Sequence, residues 1–385
     1  MNNKVSKCRI LIFNPFYPPH IGGLESHADE FNFHLGKLGY KLTVFTPQIP
    51  EKSSLIENRY AGVTIIRFPA VEIIPNYPIP AFWKKEFWSQ YNLIHNSEYD
   101  LVISRTRFFL TSIMALLYSK IKNKKWIHIE HGSDYVNLSN KITTGIAWIY
   151  DETFGRLVFK SSDINVSVSK AVQDFVGQFD NRTSPLIYRG LNFSAINNIR
   201  PNVSIRKKYP DKYVACFAGR LFKWKGLENS IKAFSLLPDN IYKKWIFVII
   251  GRGEDFKSLQ KQAASNVIFL GEKSWEVTIS YLKTSDIYLH SSLSGGGLST
   301  SLLEAIYCGC NIIATRGEGA TEVVNSNNGI LIDSYSVEGL KLGISKLLSK
   351  PKISSSLDVR KRLIRKSFSW SKNILKYHNL IQNLI

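Results

Sequence analysis

Short apolar runs and amphipathic stretches alternate along the whole chain. Residues 9–14, 42–46, 63–68, 101–104, 126–130 and 164–168 are rich in β-branched and aromatic side chains and predict strands. So do 213–218, 246–250, 267–270, 286–290 and 311–314. Between them, apolar positions recur at helical spacing over 24–38, 108–121, 169–178, 227–237, 255–264, 275–284 and 301–308. Strand and helix in alternation predict an α/β protein whose parallel sheets are covered by helices on both faces. The strands form two sets, separated by a polar, turn-rich stretch around 192–211 that holds Asn192, Asn197, Asn198, Pro201, Asn202 and Pro210. We therefore expect one domain over 1–195, a second over 196–368 and a closing helix over 369–385. No short internal repeat is visible.

Composition agrees with two ordinary domains. The 385 residues are 44% hydrophobic and 21% charged, a globular balance with enough chain for two cores. No apolar stretch is long enough to span a bilayer, and the apolar part of the N-terminus is too short for a secretory signal. The four cysteines, Cys8, Cys216, Cys308 and Cys310, form no paired framework. A cytoplasmic protein is expected, with the inner face of the plasma membrane as a peripheral site. The net charge of +20 changes the picture. Residues 341–376 alone carry eleven basic residues and one acid, Asp358. Such a surface attracts phosphorylated ligands, anionic lipid or nucleic acid, although a solvated basic face is also common.

Open α/β sheets bind ligands at the carboxyl ends of their strands, so the residues just after each strand matter most. The first strand leads into Pro18-Pro-His-Ile-Gly22-Gly23-Leu-Glu25. Strand 126–130 leads into His131-Gly-Ser-Asp134, strand 213–218 into Gly219-Arg220-Leu-Phe-Lys223-Trp-Lys225-Gly226, and strand 246–250 into Gly251-Arg-Gly253. Strand 286–290 leads into Gly295-Gly296-Gly297-Leu298-Ser299-Thr300-Ser301 and a helix that carries Glu304. A glycine loop feeding a helix start presents backbone N–H groups to an anion. Arg220 and Lys225 suit a diphosphate, one as a planar fork and the other as a mobile point charge. No Asp-x-Asp pair and no His/Asp cluster with metal spacing occurs, so the expected positive charge on the phosphates comes from the protein.

In order and spacing, these segments resemble the retaining GT-B glycosyltransferases of family 4, over nearly the whole chain. The resemblance rests on the Pro18–Gly23 loop, His131-Gly-Ser-Asp134, Val168-Ser-Lys170 and Tyr188-Arg-Gly190-Leu-Asn192. It continues through Gly219-Arg220-Leu, Lys225-Gly226, Gly251-Arg-Gly253, Leu302-Leu-Glu304-Ala305 and the terminal Phe368-Ser-Trp370 helix. It implies two Rossmann-like domains facing across a cleft, with the last helix crossing back to the first domain. It also implies sugar transfer from a nucleotide-sugar donor with retained anomeric configuration and without a metal or other cofactor, a UDP-sugar being expected ahead of a GDP-sugar. His131, Arg220 and Lys225 are then the catalytic candidates. Arg220, Lys225, Leu298, Ser299 and Thr300 would hold the diphosphate and Glu304 the ribose. Gly22 and Gly23 would form the acceptor and phosphate loop, and Gly251 and Gly253 the base-side loop.

Other readings of single residues stay open. His131 also fits a satisfied polar residue at a strand end, Asp134 fits a helix cap, and Glu322 reads as structural. One departure from the family is clear: the first of its two glutamates, eight positions before Glu304, is here Gly296. Either backbone groups of the triple glycine replace that carboxylate, or the donor is atypical, or the chain binds nucleotide without efficient transfer. The acceptor is expected to be a glycan, such as one on a polyprenyl-diphosphate carrier in cell-surface polysaccharide synthesis. The aromatic and basic residues of Phe82–Trp88 and of Phe108–Lys125 fit an anionic membrane surface or aromatic core packing equally well. The alternatives are a sugar-nucleotide epimerase on the same fold, a nucleotide-sugar-binding subunit without transfer, and a nucleic-acid-binding protein. The last is disfavoured because no zinc-finger, RRM or helix-turn-helix signature accompanies the charge. Oligomeric state is not legible.

Overall fold

The computed structural model describes residues 8–74, 76–136, 141–292, 297–317, 319–333, 336–349 and 357–385. The chain divides into two compact units, Met1–Gly190 with Trp370–Ile385, and Leu191–Ser369.

In the first unit the strands are β1 (Arg9–Phe13), β2 (Lys41–Pro47), β3 (Ile56–Tyr60), β4 (Val63–Phe68), β5 (Ala70–Ile74), β6 (Tyr77–Pro80), β7 (Leu101–Arg105), β8 (Lys125–Glu130) and β9 (Ile164–Ser167). Seven of them form one sheet in the order β3-β4-β2-β1-β7-β8-β9, parallel except for the β3–β4 pair, while β5 and β6 make a separate hairpin. The central strands are apolar on both faces, as a sheet covered on both sides requires: Ile10 to Phe13 and Leu101 to Ile103 are fully buried. The closing helix, Trp370–Leu384, buries Trp370, Ile374, Tyr377 and Ile381, a spacing that lines one helical face. That face packs on the Gly23–Lys37 helix, with Tyr377 edge-on to Phe31 at 4.8 Å and Trp370 Nε1 donating to Glu30 Oε2 at 2.9 Å. Gly190 makes room for it, since a Cβ there would fall 2.2 Å from the Trp370 ring.

The second unit holds β10 (Tyr213–Ala218), β11 (Trp245–Ile250), β12 (Val267–Gly271), β13 (Ile287–His290), β14 (Asn311–Thr315) and β15 (Gly329–Ile332). They form one parallel sheet in the order β12-β11-β10-β13-β14-β15. The chain starts in the middle, works outward to β12, then returns to the other side of β10. That reversal leaves a crevice at the carboxyl ends of β10 and β13, where the connections leave in opposite directions. The first sheet reverses in the same way between β1 and β7.

Each strand predicted from the sequence is present to within a residue or two. The segments not foreseen include β3, β5, β6 and β15, the helices Lys85–His95, Lys141–Tyr150, Asp239–Tyr242, Ala320–Val323, Val337–Ser349 and Leu357–Ser367, and one π-type turn at Asp151–Gly155 that leads into the Arg156–Ser161 helix. The stretch around 192–211, read as turns, holds two short helices, Phe193–Asn198 and Val203–Lys208. β3 is a polar edge strand, which carries little apolar alternation. In the 141–161 segment Ile142, Ile146 and Ile149 lie exposed opposite the buried Ala147, Val158 and Phe159, so its apolar residues do not keep to one helical stripe.

Candidate active site

In the second unit, the loops after β10 and β13 meet at the switch point. Gly219 (φ 158) starts the first loop, Lys223–Lys225 form one 3-10 turn, and Gly226 (φ 62) turns the chain into the Leu227–Ser235 helix. This path carries Lys225 to the end of β13. Its Nζ lies 3.2 Å from Ser292 Oγ and 4.0 Å above the Trp224 ring, and its carbonyl accepts from Ser291 Oγ at 2.8 Å. His290, the last residue of β13, is buried beside it. Burial, then the Lys225 charge, hold its imidazole down at about 3, so the ring is neutral. Arg220 is exposed on the same loop, 5.5 Å over the Phe222 ring. Gly251 and Gly253 have a clear packing reason. A Cβ on Gly251 would lie 1.9 Å from the Gly219 carbonyl oxygen, and one on Gly253 2.2 Å from that of Leu221. The loop after β11 thus supports the Gly219–Lys225 loop from beneath, with Leu221 N–H donating to the Arg252 carbonyl at 2.9 Å.

The connection after β13 is described again from Gly297 (φ 55), and Gly295 and Gly296 lie outside the described residues. Ser299 stands at the N-cap of the Thr300–Cys308 helix, but its side chain does not cap it. The Ser299 hydroxyl lies 3.0 Å from Ser301 Oγ, which lies 2.7 Å from the buried Tyr288 hydroxyl. Leu298 is pressed by Gly319 (φ 46), where a Cβ would come within 2.6 Å of the Leu298 Cα. Glu304 is 6% exposed one turn into the helix, and its Oε1 accepts from Trp275 Nε1 at 2.7 Å. Trp275 opens the helix after β12, so two strand ends and one indole fix the direction of this carboxylate. Glu322 lies in the first turn of the short Ala320–Val323 helix.

The first unit carries its own constellation at the β1–β7 switch point. Gly22 and Gly23 open the Gly23–Lys37 helix but differ in kind. A Cβ on Gly22 would fall 2.3 Å from Glu25 Oε2, whereas a Cβ on Gly23 would meet nothing within 4 Å. Glu25 is buried and paired with His20 Nδ1 at 2.5 Å. Arg105, the last residue of β7, is fully buried, with Nη1 3.1 Å from His27 Nδ1 and the guanidinium 4.5 Å over the Phe31 ring. Its Nε and Nη2 have no partner among the described residues, and burial draws its pKa down to about 10. Thr106 follows at φ 61, a costly conformation for a β-branched residue. Arg189 reaches the Gly23 carbonyl at 3.5 Å and Glu30 Oε2 at 3.2 Å.

His131 follows β8. Its ring stands edge-on to His27 at 4.7 Å, and its Nε2 is buried with no partner among the described residues. Burial, then Arg105, push its pKa down to about 3. A neutral imidazole with one unengaged nitrogen can donate or accept a hydrogen bond to a sugar hydroxyl. Glu130 sets its position: Oε1 accepts from the N–H groups of His131 at 2.9 Å and Gly132 at 2.6 Å. Burial pushes Glu130 up, but Arg107 and His128 outweigh this and hold it at about 2. Arg107 also binds Asp151 at 3.0 Å and the Asp134 carbonyl at 2.9 Å. The Asp134 carboxylate accepts from the N–H of Tyr135, the next residue. Among the described residues, no group of three or more His, Cys, Asp or Glu has the arrangement to hold a metal ion.

Two family models match the chain: "Glycosyltransferase Family 4" over residues 21–194 and "Glycosyl transferases group 1" over residues 199–370. An uncharacterized glycosyltransferase of Methanocaldococcus jannaschii is 40% identical over 98% of this chain and 99% of its own. The chain belongs to the family 4 glycosyltransferases. A GDP-mannose-dependent alpha-(1-6)-phosphatidylinositol monomannoside mannosyltransferase of Mycobacterium tuberculosis is 22% identical, over 88% of this chain and 89% of its own. Among solved structures, sucrose-phosphate synthase of Thermosynechococcus elongatus has a TM-score of 0.80 at 16% identity, covering 98% of this chain and 99% of the other. Anabaena HepE in complex with UDP-glucose has a TM-score of 0.74 at 17% identity, covering 98% and 100%. These likenesses show the GT-B fold, with its two Rossmann-like parallel-sheet domains.

Within this glycosyltransferase, Lys225, Ser299, Thr300 and Glu304 come to one end of the second sheet, and Gly22, Gly23 and His131 to one end of the first. Residues of these constellations with no role assigned from sequence include Trp275, Arg105, Arg189, Glu130, Glu25 and His290. Arg105 stands just after strand 101–104, so the rule that found the other loops also points to it. Trp275 gave no signal, because an indole beside a carboxylate distant in sequence is set by the fold alone.

Proposed function

We propose that this glycosyltransferase moves a sugar from a nucleoside-diphosphate donor to a lipid-linked saccharide, with retention of anomeric configuration. The observation that carries this reading is the pairing of Lys225 with the strand end that leads into the Thr300 helix. A mobile ammonium and a helix start then converge on the place where a leaving diphosphate develops charge. Arg220, on the same loop, adds a second cation, and Glu304, aimed by Trp275, accepts from ribose hydroxyls. Both cations come from the protein, which supports catalysis without a divalent metal. His131 is neutral and held by Glu130, which suits a hydrogen bond to the donor sugar better than proton transfer. Gly23, open on its Cβ side, leaves space for a ligand to approach the helix start.

The HepE complex supports a uridine nucleotide, and the mycobacterial relative a lipid acceptor; the same relative's GDP-mannose keeps the base open. A role in cell-surface polysaccharide synthesis from the cytoplasmic side follows if the lipid is a polyprenyl diphosphate. The test is a screen of UDP- and GDP-sugars against a polyprenyl-diphosphate saccharide, with and without EDTA, and NMR of the new linkage. Transfer in EDTA with the donor's anomeric configuration is expected. An inverted product, or activity that appears only on adding a divalent ion, would overturn the corresponding part. Nucleotide binding with no transfer to any acceptor would favour the binding-subunit reading.

A further inference from the structure

One face of the first unit is apolar where a water-facing surface should be polar. The helical stretch from Lys141 to Ser161 buries Ala147, Asp151, Gly155, Val158 and Phe159 against the unit. Its opposite side carries Ile146 (62% exposed), Trp148 (51%), Ile149 (56%), Phe154 (48%) and Leu157 (46%). A surface helix of this kind is ordinarily polar on its outer side. Its only acid off the buried face, Glu152, is held by Arg156 and the Tyr135 hydroxyl.

The surroundings continue the pattern. The Phe108 ring contacts Tyr150 at 5.4 Å and Tyr77 at 5.2 Å, which joins this helix to the β5–β6 hairpin and to the start of the Leu110–Ile121 helix. The Leu110–Ile121 helix in turn packs on Arg156–Ser161. The hairpin exposes Ile73 (75%), the Leu110–Ile121 helix exposes Leu117 (56%) and Ile121 (67%), and Trp83 just before the Lys85–His95 helix and Trp88 within it are also exposed. Lys84, Lys85, Lys120, Lys141 and Lys160 are exposed on the same elements, against the exposed acids Glu72 and Glu86.

We propose that this face docks on an anionic bilayer, with the 141–157 helix lying in the interface and the lysines meeting lipid phosphates. Aliphatic and tryptophan side chains at the level of the headgroups, flanked by lysine, are what such an interface selects. A second copy of the chain is a poorer occupant, because it would bring the same lysines against each other. No described helix is long and apolar enough to cross a membrane, so the contact is peripheral. The inference deepens the lipid-acceptor reading and rests on it for its purpose, but its test does not.

The full-length protein is floated with phosphatidylcholine vesicles and with vesicles in which one lipid in three is phosphatidylglycerol. We expect co-flotation with the anionic vesicles only, weakened by salt. The double substitution Ile146→Ser with Ile149→Ser should lower vesicle affinity by roughly tenfold per isoleucine withdrawn, while circular dichroism and thermal unfolding stay unchanged. Lys84→Glu with Lys85→Glu, remote in sequence from that helix, should weaken binding to anionic vesicles alone. Equal flotation of wild type and the isoleucine variant would overturn the proposal. So would a lipid-free dimer of the wild type that the isoleucine variant turns into a monomer. Transfer to a short-chain, water-soluble acceptor should be the same in all variants. Its absence in every one would count against the transferase reading and leave the docking result standing.

Discussion

Replacing Trp275 with Phe removes one hydrogen-bond donor and keeps a ring of similar bulk. The lost contact is the 2.7 Å bond from Trp275 Nε1 to Glu304 Oε1. A bond to a charged group contributes about 1.5–3 kcal/mol net. Trp275 is 36% exposed, so water can replace part of it, which leaves about 1 kcal/mol at stake. If Glu304 holds the ribose, nucleotide affinity should fall about fivefold in Trp275→Phe, measured by titration calorimetry with UDP and GDP. Glu304→Ala should cost more, about 2–3 kcal/mol, because it removes the acceptor itself. The decisive measurement is the double variant. With Glu304 gone, the indole has nothing to orient, so Trp275→Phe should then change affinity by less than about a factor of two. An equal loss in both backgrounds would refute this reasoning and mean that the ring touches the nucleotide directly.

Other predictions follow from the glycines and the buried histidines. Gly23→Ala should leave stability unchanged or slightly raised, since its Cβ meets nothing and Ala is the better helix former, yet it should reduce transfer. Gly22→Ala should destabilise, because its Cβ would collide with Glu25; urea unfolding of the two variants checks the contrast. Gly253→Ala should cost at least about 2 kcal/mol in the same assay and also weaken nucleotide binding, because its Cβ displaces the Leu221 backbone that carries the Arg220–Lys225 loop. His131 and His290 are both held at about 3, below their ordinary 6.5, so each favours the fold above pH 6.5 and loses that contribution as pH falls toward 3. Each should cost roughly 2 kcal/mol at pH 5 relative to neutral pH, and a denaturation midpoint that stays flat across that range would contradict their neutral burial.

The strands and the loops after them were legible because a parallel strand buried on both faces is a run of apolar residues that ends abruptly in glycine. Gly219 and Gly251 stand directly after β10 and β11, Gly271 closes β12, and their positive φ values explain why glycine stands there. The partners of those loops were not legible. That Trp275 meets Glu304, or that Glu130 holds the backbone of His131, depends on strand order, and strand order is set by long-range packing. Gly253 read as part of a binding loop, and the structure adds that it is needed for the contact of one loop with another. The 141–157 helix was missed for a different reason: with Ile142, Ile146 and Ile149 exposed opposite the buried Ala147, its apolar residues do not keep to one stripe.

The central claim is that the loops after β10 and β13 hold the donor diphosphate through Lys225. The most direct measurement is the dissociation constant of UDP and of GDP for wild type and for Lys225→Met, with thermal unfolding as a check on the fold. The account predicts micromolar binding of one nucleotide, a loss of about 30-fold or more in Lys225→Met, and a similar loss of transfer. Unchanged nucleotide affinity in a folded Lys225→Met protein would contradict it.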